Sequence, residues 1–202
     1  MGPDFFSFLG VPRKLGLDPS DLEQRFRALS RQFHPDYFYN AGQAERRASL
    51  ERSSYLNDAY RTLRQPMSRI EYLLELEGMS ARASTRSAAG GAASASNEVP
   101  ASLLEEVFAL NEELDEVRSL RSLGAPPERW KARLEQARQP IEAKQADHER
   151  HLRELSARWD VLVDSQAADS ERRVVLDALA ARMLERNYIS NLLAGIATEL
   201  SQ

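Results

Sequence analysis

Leu22, Phe26, Leu29 and Phe33 recur at steps of four, three and four, a spacing that predicts one buried face of an amphipathic helix. Asp18-Pro19-Ser20-Asp21 supplies its start, with a proline near the first turn and acids at the positive end of the helix dipole. Pro35 stops it, because the residue before a proline avoids the α region. After a connecting loop, Ala48, Tyr55, Leu56, Ala59, Tyr60 and Leu63 mark the inner face of a helix from about Gln43 to Leu63. Gln65-Pro66 breaks that helix, and Pro66 suits the first turn of a short one through Ile70, Leu73 and Leu74. Ahead of them all, Asp4-Phe5-Phe6-Ser7-Phe8-Leu9-Gly10 is a short apolar opening segment.

Further along, Pro100 opens a helix that the pattern carries to about Leu123, where Gly124-Ala125-Pro126-Pro127 ends it and starts the next. That one continues to about Val163, with a kink expected at Pro140. A last helix covers about Ser170 to Leu200. Three long helices with short joins imply an antiparallel bundle. No stretch alternates with period two, so no sheet is predicted. The expected fold is all-α: an N-terminal helical hairpin with short helices over 1–79, then a C-terminal three-helix bundle over 100–202. Residues 80–99, rich in Ala, Ser and Gly, lack the large apolar side chains needed to pack and read as a flexible linker. As a random coil its ends would lie ~25 Å apart.

Composition narrows the chemistry. The 202 residues carry a net charge of −4, which makes nucleic acid an unsuitable main partner. There is no cysteine, so disulfides, thiolate catalysis and Cys-held metal or iron–sulfur clusters are excluded. No Gly-rich phosphate loop is present, and no apolar run reaches the ~18–20 residues needed to cross a bilayer. Met1-Gly2-Pro3-Asp4 has no basic segment of the kind that begins a signal peptide. A soluble cytoplasmic protein with no cofactor, no resident metal and no membrane partner is the expectation.

Two places carry candidate chemistry. With Leu22, Phe26, Leu29 and Phe33 facing inward, Gln24, Arg27, Ala28 and Arg31 fall on the opposite side of the helix and Arg25 on a flank. A basic exposed face therefore leads directly into His34-Pro35-Asp36, and it suits an acidic protein surface. The residues alone also fit an ordinary solvated face followed by a turn, with His34 as a cap and Asp36 as a turn former. In the bundle, Leu103, Val107, Leu110, Leu114 and Val117 share one stripe. Leu104 and Phe108 project away from it among acids: from Glu105 to Glu116 there are six acids and no base. An apolar pair with a polar rim fits a binding patch. On the last helix, Leu184, Tyr188 and Leu192 make a second line beside the core stripe of Val175, Leu179, Met183, Ile189, Leu193, Ile196 and Leu200. His148 and His151 share a helix side, but their spacing differs from the zincin motif and they read as a solvated surface pair.

Helix, His-Pro-Asp, helix closely resembles a J-domain, with Phe26-Arg27-Ala28-Leu29-Ser30-Arg31-Gln32-Phe33 before the tripeptide and Asn57-Asp58-Ala59-Tyr60-Arg61-Thr62-Leu63 near the end of the following helix. Arg64-Gln65-Pro66-Met67-Ser68-Arg69-Ile70-Glu71-Tyr72-Leu73-Leu74 and the opening Phe5-Phe6-Ser7-Phe8-Leu9-Gly10 are similar to the HscB branch, the J-type co-chaperones of iron–sulfur cluster assembly. The resemblance implies a non-enzymatic protein that stimulates the ATPase of an HscA- or DnaK-type chaperone and delivers an IscU-type scaffold. It implies that His34, Pro35 and Asp36 are needed for stimulation, that Arg25, Arg27 and Arg31 dock the helix, and that Asp36 pairs with a partner arginine. It implies scaffold contacts for Leu104, Phe108, Glu112, Glu116 and Tyr188. Three positions depart from the pattern: Tyr37 stands where the family carries Lys or Arg, Glu105 where it carries Met, and Ala109 where it carries Glu. A general J-protein with a different client, and a helical adaptor without chaperone coupling, remain the alternatives.

Overall fold

A computed structural model of the chain describes residues 3–38, 40–79 and 103–201. The described residues form seven α-helices and one 3-10 turn: α1 (Phe5–Phe8), α2 (Pro19–Phe33), the turn Pro35–Phe38, α3 (Gln43–Arg64), α4 (Pro66–Leu76), α5 (Leu104–Ser122), α6 (Pro127–Asp164) and α7 (Asp169–Leu200). No strand occurs among them. The helix starts follow the punctuation of the sequence. Asp18 caps α2 by accepting the Ser20 amide at 2.8 Å, Pro19 occupies its first turn, and Pro66 does the same for α4. Gly124, in the left-handed region at φ +69°, closes α5 where a side chain would be strained. The helix expected from Pro100 is seen from Leu104; its expected first residues, and the expected linker, lie outside the described residues.

The chain gathers into two compact units that do not follow it linearly. One contains the described residues up to 79 together with Leu155–Asp177; the other contains those from 103 to Glu154 and from Ala178 onward. The ends of α6 and α7 that meet at their connection therefore belong with the N-terminal helices, where the pattern alone assigned them to the bundle.

In the first unit, Phe6, Leu9, Val11, Leu22, Leu56, Ala59 and Leu63 form the core, with Phe26, Leu29 and Phe33 packed on its edge. Aromatic stacking ties the opening segment and α2 to it: Phe8 lies 6.0 Å from Phe33, and Phe26 4.2 Å from Tyr60. Polar fasteners complete the unit. The Asp160 carboxylate accepts the backbone N–H of Leu15 at 2.6 Å and of Gly16 at 2.7 Å, and Trp159 Nε1 donates to the Arg13 carbonyl at 2.9 Å. A Cβ at position 16 would sit 2.6 Å from Asp160 Oδ2, so any larger residue there would have to displace the carboxylate from the clasp. Arg69 is buried; its guanidinium donates to the Leu63 carbonyl at 2.7 Å and to the Leu15 carbonyl. Burial lowers its pKa, opposed by the Asp160 charge.

In the second unit, Leu103, Leu110, Val117, Trp130, Leu134, Ile141, Ile189 and Ile196 make the core. Leu103, Leu110 and Val117 belong to the stripe predicted for α5, and Ile189 and Ile196 to the one predicted for α7; Leu114, Leu193 and Leu200 pack against this core. One expectation fails here. His148 is 2% exposed, not a solvated surface residue, because α7 covers that side of α6 and sets Glu185 Oε2 3.3 Å from its Nδ1. Burial pushes the ring's pKa below the usual histidine value, and Glu185 only partly offsets this.

Candidate functional site

The corner after α2 is made by local chemistry. His34 leaves the helix with φ −61° and ψ 128°, the extended conformation imposed by the following proline. The chain then turns once as a 3-10 helix, where a loop was expected, with the Tyr37 amide donating to the His34 carbonyl at 3.1 Å. The Asp36 amide donates to His34 Nδ1 at 3.3 Å, which in the neutral ring leaves the proton on Nε2. The Asp36 carboxylate lies 3.5 Å from the same nitrogen and stays 86% exposed, while the His34 side chain is 51% exposed. An imidazole and a carboxylate are thus presented together to solvent. Tyr37, exposed as well, holds its ring 6.1 Å from that of His34.

The basic face runs up to this corner. Arg31 borders two adjoining surface depressions, one lined with Ser30, His34, Asp36 and Tyr37 and the other with Ser20, Glu23, Gln24 and Arg27. Arg27 pairs with Glu23 one turn away, and Arg31 Nε donates to the Arg27 carbonyl at 3.3 Å. Arg25 is placed differently. Its guanidinium bonds Asp21 at 2.9 Å and the Gly10 carbonyl at 2.7 Å, so it anchors the opening segment to α2. The geometry therefore brings Arg27, Arg31, His34 and Asp36 onto one surface, while Arg25, itself exposed, spends its guanidinium on Asp21 and the Gly10 carbonyl.

On α5, Leu104 is 39% and Phe108 69% exposed, and Glu112 and Glu116 are exposed on the same helix. Glu105 and Ala109 line a groove between α5 and α6, floored by Leu110, Ala137, Pro140 and Ile141. Part of the acidic rim is already neutralised. Arg133 binds Glu113 at 2.9 Å and reaches Glu116 at 3.5 Å, and Glu106 is paired with Lys144. Tyr188 on α7 is half-buried against the core of this unit, a wall residue and not a protruding anchor.

Periodicity and motif gave no sign of Ser49 and Ser53. Both hydroxyls donate to the Phe33 carbonyl, at 2.9 and 2.7 Å, directly beneath the corner. The only hint in the sequence was a serine on the inner side of an otherwise apolar α3 stripe.

A helical hairpin that sets exposed His34 and Asp36 side by side at the end of a basic second helix is the arrangement on which the chain resembles J-type proteins. No family model matches the chain. A curated relative, the co-chaperone protein HscB homolog of Cupriavidus taiwanensis, is 44% identical over 85 residues, covering 42% of this chain and 48% of that protein. The match spans about half the length of that relative. Among solved structures, the chaperone HscB from Vibrio cholerae matches with a TM-score of 0.57 and 26% identity, covering 99% of each chain. The human co-chaperone protein HscB matches with a TM-score of 0.59 and 25% identity, covering 98% of this chain and 82% of that one. The chain is thus similar to HscB co-chaperones, in sequence over 85 residues and in fold over nearly its whole length.

Proposed function

We propose that this protein is a non-enzymatic co-chaperone of iron–sulfur cluster assembly, with 1–79 as its J-domain, 80–99 as a linker and 100–202 as its scaffold-binding bundle. The corner of His34, Pro35 and Asp36, with the basic side chains of Arg27 and Arg31 leading to it, engages an HscA- or DnaK-type chaperone and stimulates its ATPase. Arg25 supports that surface by tying α2 to Gly10. Stimulation of this kind is a coupling between two sites: contact at the corner favours the hydrolysing conformation of the partner. The face of α5 around Leu104 and Phe108, with Glu112 and Glu116 at its rim and Tyr188 behind, holds an IscU-type scaffold. The scaffold carries the cluster, because this chain has no thiolate to offer one. Joining both partners through one chain raises the local concentration of scaffold at the chaperone.

The observation that carries this reading is the pair of exposed groups, His34 and Asp36, set side by side on a turn that adjoins Arg31. The test is a single-turnover ATPase assay of a DnaK-type chaperone with and without the chain, alongside a pull-down for an IscU-type scaffold. Stimulation together with scaffold capture supports the reading. Stimulation without scaffold points to a general J-protein with another client, and no stimulation points to an adaptor without chaperone coupling.

A further inference from the structure

The Phe33 carbonyl is the last of α2 before the corner, and neither amide that helical geometry would aim at it is used there. In a continuing α-helix its donor would be the Tyr37 amide, and in a 3-10 continuation the Asp36 amide. Tyr37 instead donates to the His34 carbonyl and Asp36 to His34 Nδ1. Pro35 has no N–H at all. A part-buried carbonyl left alone costs as much as a lost hydrogen bond.

Two hydroxyls from α3 resolve this. Ser49 Oγ donates at 2.9 Å and Ser53 Oγ at 2.7 Å, so both lone pairs of the oxygen are used. The serines are four residues apart and share one face of α3. Ser49 is 2% exposed, and a buried hydroxyl needs a partner. Holding the Phe33 carbonyl this way frees the Asp36 and Tyr37 amides to shape the turn around His34. Without the hydroxyls, the same carbonyl competes for those amides, and the turn loses its single arrangement.

We infer that Ser49 and Ser53 are positioning residues: they latch the end of α2 and thereby fix how His34 and Asp36 face a partner. This rests on the co-chaperone reading above. A weak latch lowers the fraction of chains with a competent corner, so it acts on maximal stimulation more than on docking by the basic face.

The test uses the full chain as Ser49→Ala/Ser53→Ala, as Ser49→Ala/Ser53→Thr, which restores one hydroxyl, and as Asp36→Ala. Maximal stimulation of a DnaK-type ATPase is expected to fall at least about fivefold in the double alanine variant, since roughly fivefold corresponds to one net hydrogen bond and both are removed. The half-saturating concentration stays within about twofold, and the threonine variant recovers most of the loss. Amide exchange at Asp36 and Tyr37 quickens in the double alanine variant while that of the α4 amides does not. Unaltered stimulation by the double alanine variant, in an assay where Asp36→Ala is inactive, overturns the inference. Equal losses in the alanine and threonine variants also overturn it, since packing alone would then account for them. If the unaltered chain stimulates nothing, the co-chaperone reading fails by itself, and amide exchange then decides whether the hydroxyls hold the corner; unchanged exchange overturns the latch.

Discussion

The corner after α2 and the outer face of α5 are both exposed, yet they are built by opposite means. The corner is polar, four residues long, and held by contacts from a helix sixteen and twenty residues away in sequence. The α5 face is apolar at Leu104 and Phe108, and it needs nothing beyond helical periodicity: the stripe of Leu103, Leu110 and Val117 buries the other side, so those two side chains must emerge. A site of the first kind is sensitive to its support; a site of the second kind is sensitive only to its own side chains.

That difference can be broken or sharpened by experiment. The largest effect is expected from Asp36→Ala, which removes an 86% exposed carboxylate with no core contact. ATPase stimulation should be lost while the circular dichroism spectrum and melting temperature stay unchanged; a fully active variant would end the corner's functional role. Next comes Leu104→Ala/Phe108→Ala. Truncating two interface anchors costs at least about 2 kcal/mol, or more than tenfold in scaffold affinity by calorimetry. Stimulation measured without scaffold should be untouched, and an unchanged affinity would remove α5 from the interface.

A smaller effect, on stability alone, tests how far the first unit depends on distant fasteners. Asp160→Ala leaves the amides of Leu15 and Gly16 without their acceptor and should cost about 2–3 kcal/mol in denaturant unfolding. A loss below about 0.5 kcal/mol would show that this clasp is incidental.

The smallest effect is a pH dependence in the second unit. An unfolded His148 titrates near the ordinary value of 6.5, and the folded ring lies lower because burial disfavours the charged form. Glu185 and Asp147 oppose that shift, and Arg182 and Lys144 reinforce it. The unfolded chain therefore binds more protons below 6.5, so this contribution is complete above that pH and is lost as pH falls toward the folded value. The slope is at most about 1.4 kcal/mol per pH unit. Relative to the unaltered chain, His148→Asn should flatten the stability–pH curve in that window. Parallel curves would refute the assignment.

Much of the molecule was legible because its signals are local. Pro19, Pro35 and Pro66 fix helix boundaries through backbone sterics, and the spacing of Leu22, Phe26, Leu29 and Phe33 fixes which face of α2 is inward. The same logic exposed Leu104 and Phe108. It misread His148, because a single helix does not reveal which neighbour will cover it. It placed Arg25 on a flank of α2 but had no means of seeing that its guanidinium would reach the Gly10 carbonyl.

The amino-acid order by itself determined the helices, their inner stripes, the place where α2 must end and the tripeptide that follows. Those depend on dihedral preference and on periods of a few residues, which a short window contains. Only the tertiary structure decided that Ser49 and Ser53 meet the Phe33 carbonyl, that Asp160 clasps Leu15 and Gly16 from 144 residues away or more, and that the connected ends of α6 and α7 join the N-terminal unit. Each of these satisfies a polar group that local structure leaves open, and which distant side chain arrives to do so is settled only when the helices pack.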